Sequence, residues 1–484
     1  MRLLDLIKGV SCEVWGDENI DVSRLFHNSK EVQNGGVFFA IDGTNESGEK
    51  YISEAIKNGA KVVVCNQNSS CYGITKVITE DVRLAMSLMA NNFYQEPSKS
   101  MFIVGITGTN GKTTSTYMLE SIYKQSGAKV GVIGTNGIVI NGKKYPSEMT
   151  TPDPILLQKT LAKMRDEGVD VVVMEVSAHA LELQKIRGVM TDIASFTNLT
   201  QDHLDFFKTM QNYGQAKLSF FTENYARYGV VNLDDEFGKF IFEKTKIPTL
   251  TYSRNVENSK IADIIVRSEK HNITNQEIFV STPKGSLIFN LNLMGGFNVS
   301  NALGAIAVAI MSGVSLDDIK IGLESLEKVD GRFNTYNING VRVIIDYAHT
   351  PDGLENVLRA TREITDGKVF SVFGCGGNRD ATKRPIMGRI SGENADYTII
   401  TSDNPRFENP KEIARQIEAG IVNEYEVCLD RKKAIIRAIE LAKQGDSVVI
   451  AGKGAEDYLD VEGNKIPYSD KGVVEEIIAN LEMK

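Results

Sequence analysis

The stretch Met101-Phe-Ile-Val-Gly-Ile-Thr-Gly-Thr-Asn-Gly-Lys-Thr-Thr114 decides the fold of the region around it. Its first half is an apolar run of β type, which ends in glycines before a helix begins at Lys112. A strand, a glycine loop and a helix in this order form a phosphate cradle. The glycines let backbone N–H groups approach the phosphates, and the N-terminus of the helix adds positive potential. The stretch therefore predicts a nucleotide-binding domain.

The residues of this loop have distinct expected roles. Gly105 lies one residue too far upstream for the standard Walker spacing, so the working core is Gly108-Thr109-Asn110-Gly111-Lys112-Thr113-Thr114. Lys112 is expected to reach the terminal phosphates of the nucleotide, and Thr113 to offer its hydroxyl to Mg²⁺. A glycine-rich turn without a ligand is the alternative, but such a turn needs neither Lys112 nor the paired threonines.

Length and composition limit what the chain can be. A chain of 484 residues is too long for one ordinary core and suggests about three domains. The net charge of −9, with no basic tract to offset it, argues against a nucleic-acid partner.

The cysteines and the apolar runs indicate the compartment. Five cysteines are odd in number and lack the spacing of a metal site, which is typical of reduced thiols: Cys12, Cys65, Cys71, Cys375 and Cys428. No apolar run approaches the length of a membrane span, and the charges near Met1 are too closely spaced for a signal peptide. We therefore expect a cytoplasmic chain with no membrane insertion.

Hydrophobic patterning divides the chain into residues 1–97, 98–329 and 330–484. The first region carries short β-type runs and one helical stretch, and Glu96-Pro97-Ser98 is typical of a linker. In the second region apolar runs alternate with helical patterns, which predicts a mostly parallel sheet covered on both faces, with a β-rich patch between Ile261 and Leu293. The predicted class is α/β in three domains: a small N-terminal α/β domain, a central domain with the phosphate loop, and a C-terminal Rossmann-like domain.

Four apolar runs of the third region each end in a polar or glycine loop. Open α/β sheets bind ligands at the carboxyl ends of their strands, so four such loops predict a binding edge. The loops are Asp346-Tyr-Ala-His349, Gly374-Cys-Gly-Gly377, Asp403-Asn404-Pro405-Arg406 and Gly452-Lys-Gly454.

Three residues of the central region are candidates for chemistry, each with a plainer alternative. Glu175 ends a strand, where phosphate-loop proteins keep a carboxylate for Mg²⁺, although a lone Glu there is usually a solvated turn. His203 follows a strand, as His179 and His349 do, which favours a functional histidine over a structural one. Lys217 has the pattern of a surface lysine whose stem packs along a helix.

Two arginines stand where they could contact a ligand. Gly331-Arg332-Phe333 precedes the third region, and an arginine there can reach across to a γ-phosphate or form an interdomain salt bridge. Arg406 stands beside a rigid proline turn, and its fork suits a carboxylate, although a solvated surface arginine fits the same pattern. Spacing alone leaves both pairs of alternatives open.

These pieces occur in an order that resembles the Mur ligase family, the ATP-dependent amide-bond synthetases of peptidoglycan precursor assembly. The similarity spans nearly the whole chain and is carried by Gly108-Thr-Asn-Gly-Lys-Thr-Thr114, Thr150-Thr-Pro152, Met174-Glu-Val-Ser177, Asn198-Leu-Thr-Gln-Asp-His-Leu-Asp205, Gly331-Arg-Phe333, Asp346-Tyr-Ala-His-Thr-Pro351 and Gly374-Cys-Gly-Gly-Asn-Arg-Asp380. The most similar branch adds the third residue to UDP-N-acetylmuramoyl-L-alanyl-D-glutamate. Asp403-Asn404-Pro405-Arg406 matches that branch's pattern for meso-diaminopimelate, and its lysine-adding relatives lack the arginine.

The resemblance implies an ATP-dependent ligase that acts through an acyl phosphate on the D-Glu γ-carboxylate. ATP and Mg²⁺ are the implied cofactors, and UDP-N-acetylmuramoyl-dipeptide and meso-diaminopimelate are the implied substrates of a cytoplasmic monomer. The implied catalytic residues are Lys112, His203, Arg332 and Lys217, the last of which matches a lysine that becomes carbamoylated.

The resemblance also implies the ligand contacts. Residues 1–97 would hold the UDP-sugar, 98–329 ATP and 330–484 the amino acid. The nucleotide would contact residues 108–114, Asn301, Arg332 and Asp346. The UDP-sugar-peptide would contact Ser29, Thr150, Thr151, Ser177 and Lys185. The amino acid would contact Arg379, Asp403, Asn404, Pro405, Arg406, Gly452 and Glu456, and the metal would contact Thr113, Glu175, His203 and the carbamate of Lys217.

Several positions depart from the family pattern. Asn28 and Lys30 flank Ser29 where Asp and Arg are usual, Lys185 replaces an arginine, and Ala455 replaces a histidine. Lysine keeps the charge of arginine but loses its fork. A divergent Mur-like paralogue that joins another amino acid to another carboxylate is therefore the alternative enzyme. Folylpolyglutamate synthase shares the general plan, and a nucleotide-binding regulatory module is the non-enzyme alternative.

Overall fold

The computed structural model describes residues 1–43, 46–66, 73–272 and 274–482, so Cys71 lies outside the described residues. Within these described residues, the strands form three sheets of five, eleven and six strands along the chain, and one two-stranded sheet. Helices accompany each of the three larger sheets, which confirms the predicted α/β class with three domains. The boundaries at residues 97 and 329 stay predictions.

The N-terminal sheet is small and mostly parallel. Its strands are β1 (Glu13–Trp15), β2 (Arg24–Phe26), β3 (Gly36–Phe39), β4 (Ala60–Cys65) and β5 (Thr75–Ile78), and its helices are α1 (Leu3–Leu6), α2 (Ile52–Lys57) and α3 (Val82–Phe93). The spatial order is β1-β5-β4-β3-β2, in which β1 is antiparallel to β5 and the other pairs are parallel. Asp81 caps the N-terminus of helix α3, where its carboxylate accepts the N–H of Leu84.

The central domain has the largest sheet. Its strands are β6 (Phe102–Thr107), β7 (Val130–Gly134), β8 (Gly137–Ile140), β9 (Lys143–Tyr145), β10 (Val171–Glu175), β11 (Thr191–Phe196), β12 (Ala226–Asn232), β13 (Thr249–Ser253), β14 (Ile264–His271), β15 (Gln276–Thr282) and β16 (Gly285–Leu291). Its helices are α4 (Lys112–Gln125), α5 (Pro154–Asp166), α6 (Ala178–Glu182), α7 (Leu204–Phe207), α8 (Met210–Ser219), α9 (Glu236–Lys244), α10 (Gly296–Met311) and α11 (Leu316–Glu324).

The middle of the central sheet is parallel and its edges are antiparallel. The order is β16-β15-β14-β13-β12-β11-β6-β10-β7-β8-β9, and the strands from β14 to β7 pair in parallel. The β-rich patch predicted between Ile261 and Leu293 corresponds to β14–β16, which pair antiparallel, as do β7–β9. Two separate hydrophobic cores, one with the buried residues of α4 and α10 and one with those of α5, confirm that both faces are covered.

The C-terminal domain repeats the parallel plan. Its strands are β17 (Asn334–Ile338), β18 (Val341–Asp346), β19 (Val369–Phe373), β20 (Tyr397–Ile400), β21 (Glu424–Val427), β22 (Ser447–Ala451), β23 (Tyr458–Val461) and β24 (Asn464–Pro467), and its helices are α12 (Pro351–Glu363), α13 (Lys383–Asn394), α14 (Pro410–Glu418), α15 (Arg431–Leu441) and α16 (Asp470–Glu482). The order is β17-β18-β22-β19-β20-β21, with all pairs parallel except β17 with β18.

The topology brings the four predicted loops to one edge of this sheet. They follow β18, β19, β20 and β22, which are parallel neighbours, so their carboxyl ends lie side by side. Among the helices of the described residues, none is long and apolar enough to span a membrane.

Candidate active site

A cavity of about 960 Å³ lies where the phosphate loop faces the carboxyl-end loops of the C-terminal sheet. Most residues singled out from the sequence line it: Thr109, Asn110, Gly111, Lys112, Thr113, Thr114, Thr150, Thr151, Glu175, Ser177, Lys185, His203, Asn301, Arg332, Asp346, Arg379, Asp403, Asn404, Arg406, Gly452 and Glu456. The predicted residues outside its lining are Ser29, Gly108, Pro405 and Lys217. Two domains therefore bring the candidate nucleotide and amino-acid residues into one space.

Two glycines shape the phosphate loop. Gly108 and Gly111 have φ angles of +150° and +87°, a region that favours glycine. A Cβ atom would lie 1.8 Å from Thr197 Oγ1 at Gly108 and 2.2 Å from Asn301 Oδ1 at Gly111. A side chain at either position would thus be both strained and obstructed, which explains why the turn needs glycine there.

The lysine of the loop folds back over the loop itself. Lys112 Nζ donates to the carbonyl oxygens of Gly108 and Thr109, at 2.9 Å each. Burial lowers the pKa of Lys112, and the carboxylates of Glu175 and Asp202 oppose that shift. The ammonium therefore stands at the loop, where the phosphates of a nucleotide would bind.

Glu175 and Arg332 meet at the hydroxyl of Thr113. Glu175 Oε1 accepts the Thr113 hydroxyl and the N–H of Thr135, both at 2.9 Å, and Oε2 accepts the Thr135 hydroxyl at 3.1 Å. Arg332 Nη2 donates to Thr113 Oγ1 at 3.0 Å. The arginine therefore reaches across to the phosphate loop, and its contact with a γ-phosphate stays a prediction. Glu175 is buried, so the solvated-turn alternative is wrong.

Tyr347 lies between the arginine and the amino-acid loops. The Arg332 guanidinium stands 4.4 Å from the centre of the Tyr347 ring, within the range of a cation–π contact. The Tyr347 hydroxyl is 3.4 Å from Glu456 Oε1. One side chain therefore touches groups on both sides of the cavity.

A buried carboxylate gathers groups from both domains beside His203. Asp202 Oδ2 lies 3.2 Å from His203 Nε2 and 3.6 Å from His349 Nε2, and Asp202 Oδ1 lies 3.5 Å from Lys383 Nζ. Burial would raise the pKa of Asp202, but the Lys383 ammonium and the two histidines hold it well below its usual range. Burial lowers the pKa of His203 to about 3 despite the neighbouring Asp202 carboxylate, so its imidazole is neutral, the form that binds a metal.

Lys217 is buried beneath Tyr213. Its side chain is 1% exposed and its Nζ lies 4.4 Å from the centre of the Tyr213 ring, so the surface-lysine alternative is wrong. Burial, reinforced by the Lys112 ammonium, lowers the pKa of Lys217 well below its usual value. A buried lysine of low pKa is an amine that can react as a nucleophile.

The residues predicted for the dipeptide form a short chain of hydrogen bonds. Thr151 Oγ1 donates to the Glu175 carbonyl at 2.8 Å and accepts the N–H of Ser177 at 3.0 Å. Thr150 and Thr135 are joined through their hydroxyls at 3.0 Å. Lys185 completes this side of the cavity, where burial lowers its pKa.

Asp346 is engaged by the backbone of its own domain. Its two carboxylate oxygens accept the N–H groups of Phe333 and Ala348, each at 2.8 Å. Burial raises the pKa of Asp346. Asp346 therefore fixes the turn that carries Arg332. This structural role is additional to its predicted contact with the adenosine of ATP. Ser29 lies away from the cavity and donates its hydroxyl to Glu54.

Asn404 is held with its amide oxygen turned into the protein. Its Oδ1 faces Lys453 Nζ at 3.0 Å and the backbone N–H of Asp460 at 2.9 Å, and its Nδ2 faces Glu456 Oε2 at 3.0 Å. Lys453 Nζ also donates to Glu456 Oε2 at 2.9 Å. Both neighbours of Oδ1 can only donate, so this orientation of the amide follows from chemistry as well as geometry.

Arg406 is aimed by the loops around it. Its Nη1 donates to the Gly377 carbonyl at 2.7 Å, and its Nε lies 3.5 Å from Asp460 Oδ2. Its backbone pairs with the β23–β24 hairpin, since the Arg406 N–H donates to the Asp460 carbonyl and the Arg406 carbonyl accepts the N–H of Glu462. The side chain is 23% exposed and is held by these contacts, and its contact with a carboxylate ligand stays a prediction.

The chain is similar to known proteins over nearly its whole length. Residues 21–94, 106–309 and 331–454 match, in turn, the Mur ligase family catalytic domain, the Mur ligase middle domain and the Mur ligase glutamate ligase domain. Over 487 residues the chain is 42% identical to UDP-N-acetylmuramoyl-L-alanyl-D-glutamate--2,6-diaminopimelate ligase 1 of Clostridium acetobutylicum, with 99% of this chain and 100% of that protein covered. The chain belongs to the Mur ligase family.

Other Mur ligases extend the comparison. The 2,6-diaminopimelate ligase of Clostridium tetani is 41% identical over 491 residues, which cover 99% of this chain and all of that protein. A solved structure of such a ligase is 28% identical with a TM-score of 0.71, and covers 100% of this chain and 99% of that one. MurF from Acinetobacter baumannii, at 19% identity and a TM-score of 0.67 over 100% of this chain and 99% of its own, shares the fold.

The predicted Mg²⁺ ligands of this Mur ligase form two groups. Thr113 and Glu175 are in contact, whereas His203 and Lys217 each contact the ring of Tyr213. Within the described ranges, no three His, Cys, Asp or Glu side chains form a ready metal site. Mg²⁺ typically takes one or two protein carboxylates and completes its shell with phosphate and water, so the hydroxyl and carboxylate pair fits it.

Some residues at the Mur ligase cavity were not assigned a ligand-binding or catalytic role from the sequence. Asp202, His349 and Lys383 line it, and Lys453 lies directly behind it. The first two follow strand ends, which is the signal that could have found them. Lys383 opens helix α13 and Lys453 stands inside a glycine loop, so only the fold reveals their burial.

Proposed function

We propose that the chain is an ATP-dependent ligase that adds meso-diaminopimelate to UDP-N-acetylmuramoyl-L-alanyl-D-glutamate in peptidoglycan precursor synthesis. The pattern of donors and acceptors at the amino-acid loops carries the proposal. Arg406 offers only donors, and Asn404 has only one side-chain N–H left because Lys453 and Asp460 occupy its oxygen and Glu456 accepts the other N–H. Glu456 offers acceptors next to them. The distal end of meso-diaminopimelate has a carboxylate for the donors and an ammonium for Glu456.

Phosphoryl transfer and amide formation follow in turn. The γ-phosphoryl group of ATP passes to the D-Glu γ-carboxylate, which gives an acyl phosphate and ADP. The amine of meso-diaminopimelate then attacks the acyl carbon, inorganic phosphate leaves, and the nitrogen loses a proton as the amide forms. Direct condensation of a carboxylate with an amine is too slow, so the first step supplies the activation.

The residues at the phosphate loop suit the first step. Two anions must approach each other there, and Lys112 and Arg332 supply positive charge on the phosphoryl group. Mg²⁺, held by Thr113 and Glu175 in one group of ligands and by His203 and carbamoylated Lys217 in the other, would add charge neutralisation at the phosphates. Closure of the two domains over the cavity would keep water from the acyl phosphate.

The roles of the other parts are included in the proposal. The N-terminal domain would hold the UDP end of the substrate, with Ser29 near the uridine, and residues 150, 151, 177 and 185 would contact the dipeptide. A monomer in the cytoplasm with no nucleic-acid partner stays a prediction.

Phosphate release tests the function directly. The purified protein, with ATP and Mg²⁺, is expected to release phosphate only when both UDP-N-acetylmuramoyl-L-Ala-D-Glu and meso-diaminopimelate are present. A panel of amino acids, each assayed with and without the acceptor, identifies the preferred nucleophile. Turnover with a different amino acid would favour the divergent paralogue, and no phosphate release with any pair would favour a regulatory module.

Arg406→Ala is expected to lower kcat/KM for meso-diaminopimelate by about a hundredfold, because a charge-assisted contact to the distal carboxylate is lost in a partly buried site. The KM for ATP should stay unchanged. Steady-state assays with meso-diaminopimelate and L-lysine measure the effect, and Arg415→Ala, an exposed arginine on α14, is the control. Wild-type protein that used L-lysine as well as meso-diaminopimelate would contradict the assigned role of Arg406.

A further inference from the structure

Lys453 is a charged residue behind the amino-acid loops that the mechanism does not use. Its side chain is fully buried, at 0% exposure, and it does not line the cavity. A lysine that cannot reach either solvent or substrate needs partners within the protein. Its ammonium has two, Asn404 Oδ1 at 3.0 Å and Glu456 Oε2 at 2.9 Å.

Both partners belong to the candidate amino-acid site. Asn404 and Glu456 line the cavity and also contact each other, since Asn404 Nδ2 donates to Glu456 Oε2 at 3.0 Å. Lys453, Asn404 and Glu456 thus form a triangle of mutual contacts, and Asn404 and Glu456 face the cavity where the amino acid would bind. The Tyr458 ring lies 5.4 Å from its Nζ and packs on this triangle.

We infer that Lys453 is a positioning residue that sets the polarity of the distal amino-acid subsite. It occupies the oxygen of Asn404, so this amide can offer a ligand only the N–H that Glu456 leaves free. It also offsets the negative charge of Glu456, so that a ligand carboxylate can bind close to that side chain. The inference rests on the proposed function, because it explains how this site would accept a zwitterionic distal end.

The charges around the subsite support this inference. Carboxylates surround the subsite: those of Asp403 and Glu456 line the cavity, and that of Asp460 lies 3.5 Å from Arg406 Nε. Without Lys453 the subsite would gain one net negative charge and lose a constraint on the amide. Both changes would disfavour a ligand carboxylate, whereas a ligand that carries only an ammonium at its distal end would be accepted at least as well as before.

The test compares two amino acids in the full-length enzyme. Lys453→Met is expected to lower kcat/KM for meso-diaminopimelate by about thirtyfold, mainly through KM, while L-lysine changes by less than about threefold. The KM values for ATP and for the UDP-dipeptide should not change. Lys465→Met is the matched control, because Lys465 lies over the same Tyr458 ring but is exposed and does not contact Asn404.

A double-mutant cycle between Lys453 and Asn404 distinguishes a positioning role of Lys453 from a general loss of structure. If Lys453 acts through Asn404, the loss in Lys453→Met/Asn404→Ala should be well below the product of the two single losses. If Lys453→Met does not fold, Lys453→Gln takes its place, since glutamine keeps a donor for Asn404 but no charge. An intermediate preference for meso-diaminopimelate is then expected.

The outcomes distinguish failure of the proposed function from failure of the inference about Lys453. Wild-type enzyme without a preference for meso-diaminopimelate would overturn the proposed function before any variant is assayed. Wild-type preference together with an unchanged ratio in both Lys453 variants would overturn the inference alone. Equal losses with both amino acids, or a raised KM for ATP, would likewise reduce Lys453 to a structural residue.

Discussion

Lys217→Ala is expected to lower the rate of ligation by about a thousandfold, because it removes the proposed carbamate from the metal site. The side chain is buried, and its low pKa makes it an amine that can add to CO2. The addition of CO2 to the neutral amine gives a carbamate and a proton, and the carbamate is an anion that can bind Mg²⁺, whereas a protonated lysine would repel the metal ion. Lys217 is therefore predicted to be carbamoylated in active protein.

Native mass spectrometry at neutral pH is expected to show the added mass of one CO2, which should disappear on acidification and in Lys217→Ala. Short-chain carboxylates added to the variant should restore part of its activity by standing in for the carbamate. Lys239→Ala, an exposed lysine on the neighbouring helix α9, should retain normal turnover and the mass of one CO2. Full activity of Lys217→Ala would contradict the prediction.

Lys112→Ala is expected to reduce acyl phosphate formation by a hundredfold to a thousandfold, or about 3–4 kcal/mol of barrier, since it removes a positive charge from the transferred phosphoryl group. His203→Ala is expected to lose at least about a hundredfold in the same assay because it removes a proposed metal ligand. Single-turnover trapping of the acyl phosphate measures this step apart from ligation.

The fold and binding of the variants must be checked alongside. Lys124→Ala, at the other end of helix α4, is the control and should match the wild type. Circular dichroism should show an unchanged fold for Lys112→Ala. Turnover near that of the wild type in either active-site variant would remove the assigned role.

Much of the fold follows from local patterns in the sequence. The phosphate loop was predictable because only glycine tolerates the φ angles at positions 108 and 111, and Lys112 begins the helix where that loop ends. The binding edge of the C-terminal sheet was predictable because polar loops after parallel strands must share one end of the sheet. The antiparallel edges of the central sheet were less predictable, because short hairpins such as β8–β9 have only a weak alternation of apolar and polar residues.

The burial and contacts of individual side chains could not be predicted from the spacing of residues in the sequence. Lys217 has the local pattern of a surface lysine, and its burial depends on Tyr213 and on packing against distant parts of the domain. Arg332 could reach either a phosphate or a carboxylate, and only the domain arrangement brings it to Thr113. The sequence did not indicate the burial of Lys453, since its contact with Asn404 joins loops that are 49 residues apart in the chain.

The position of Tyr347 has a consequence for cooperativity between the two ligands. Its ring supports the arginine at the nucleotide side, and its hydroxyl contacts Glu456 at the amino-acid side. A ligand that moves one of these neighbours changes the surroundings of the other. Because such coupling is reciprocal at equilibrium, the factor by which ATP alters affinity for the amino acid must equal the factor by which the amino acid alters affinity for ATP.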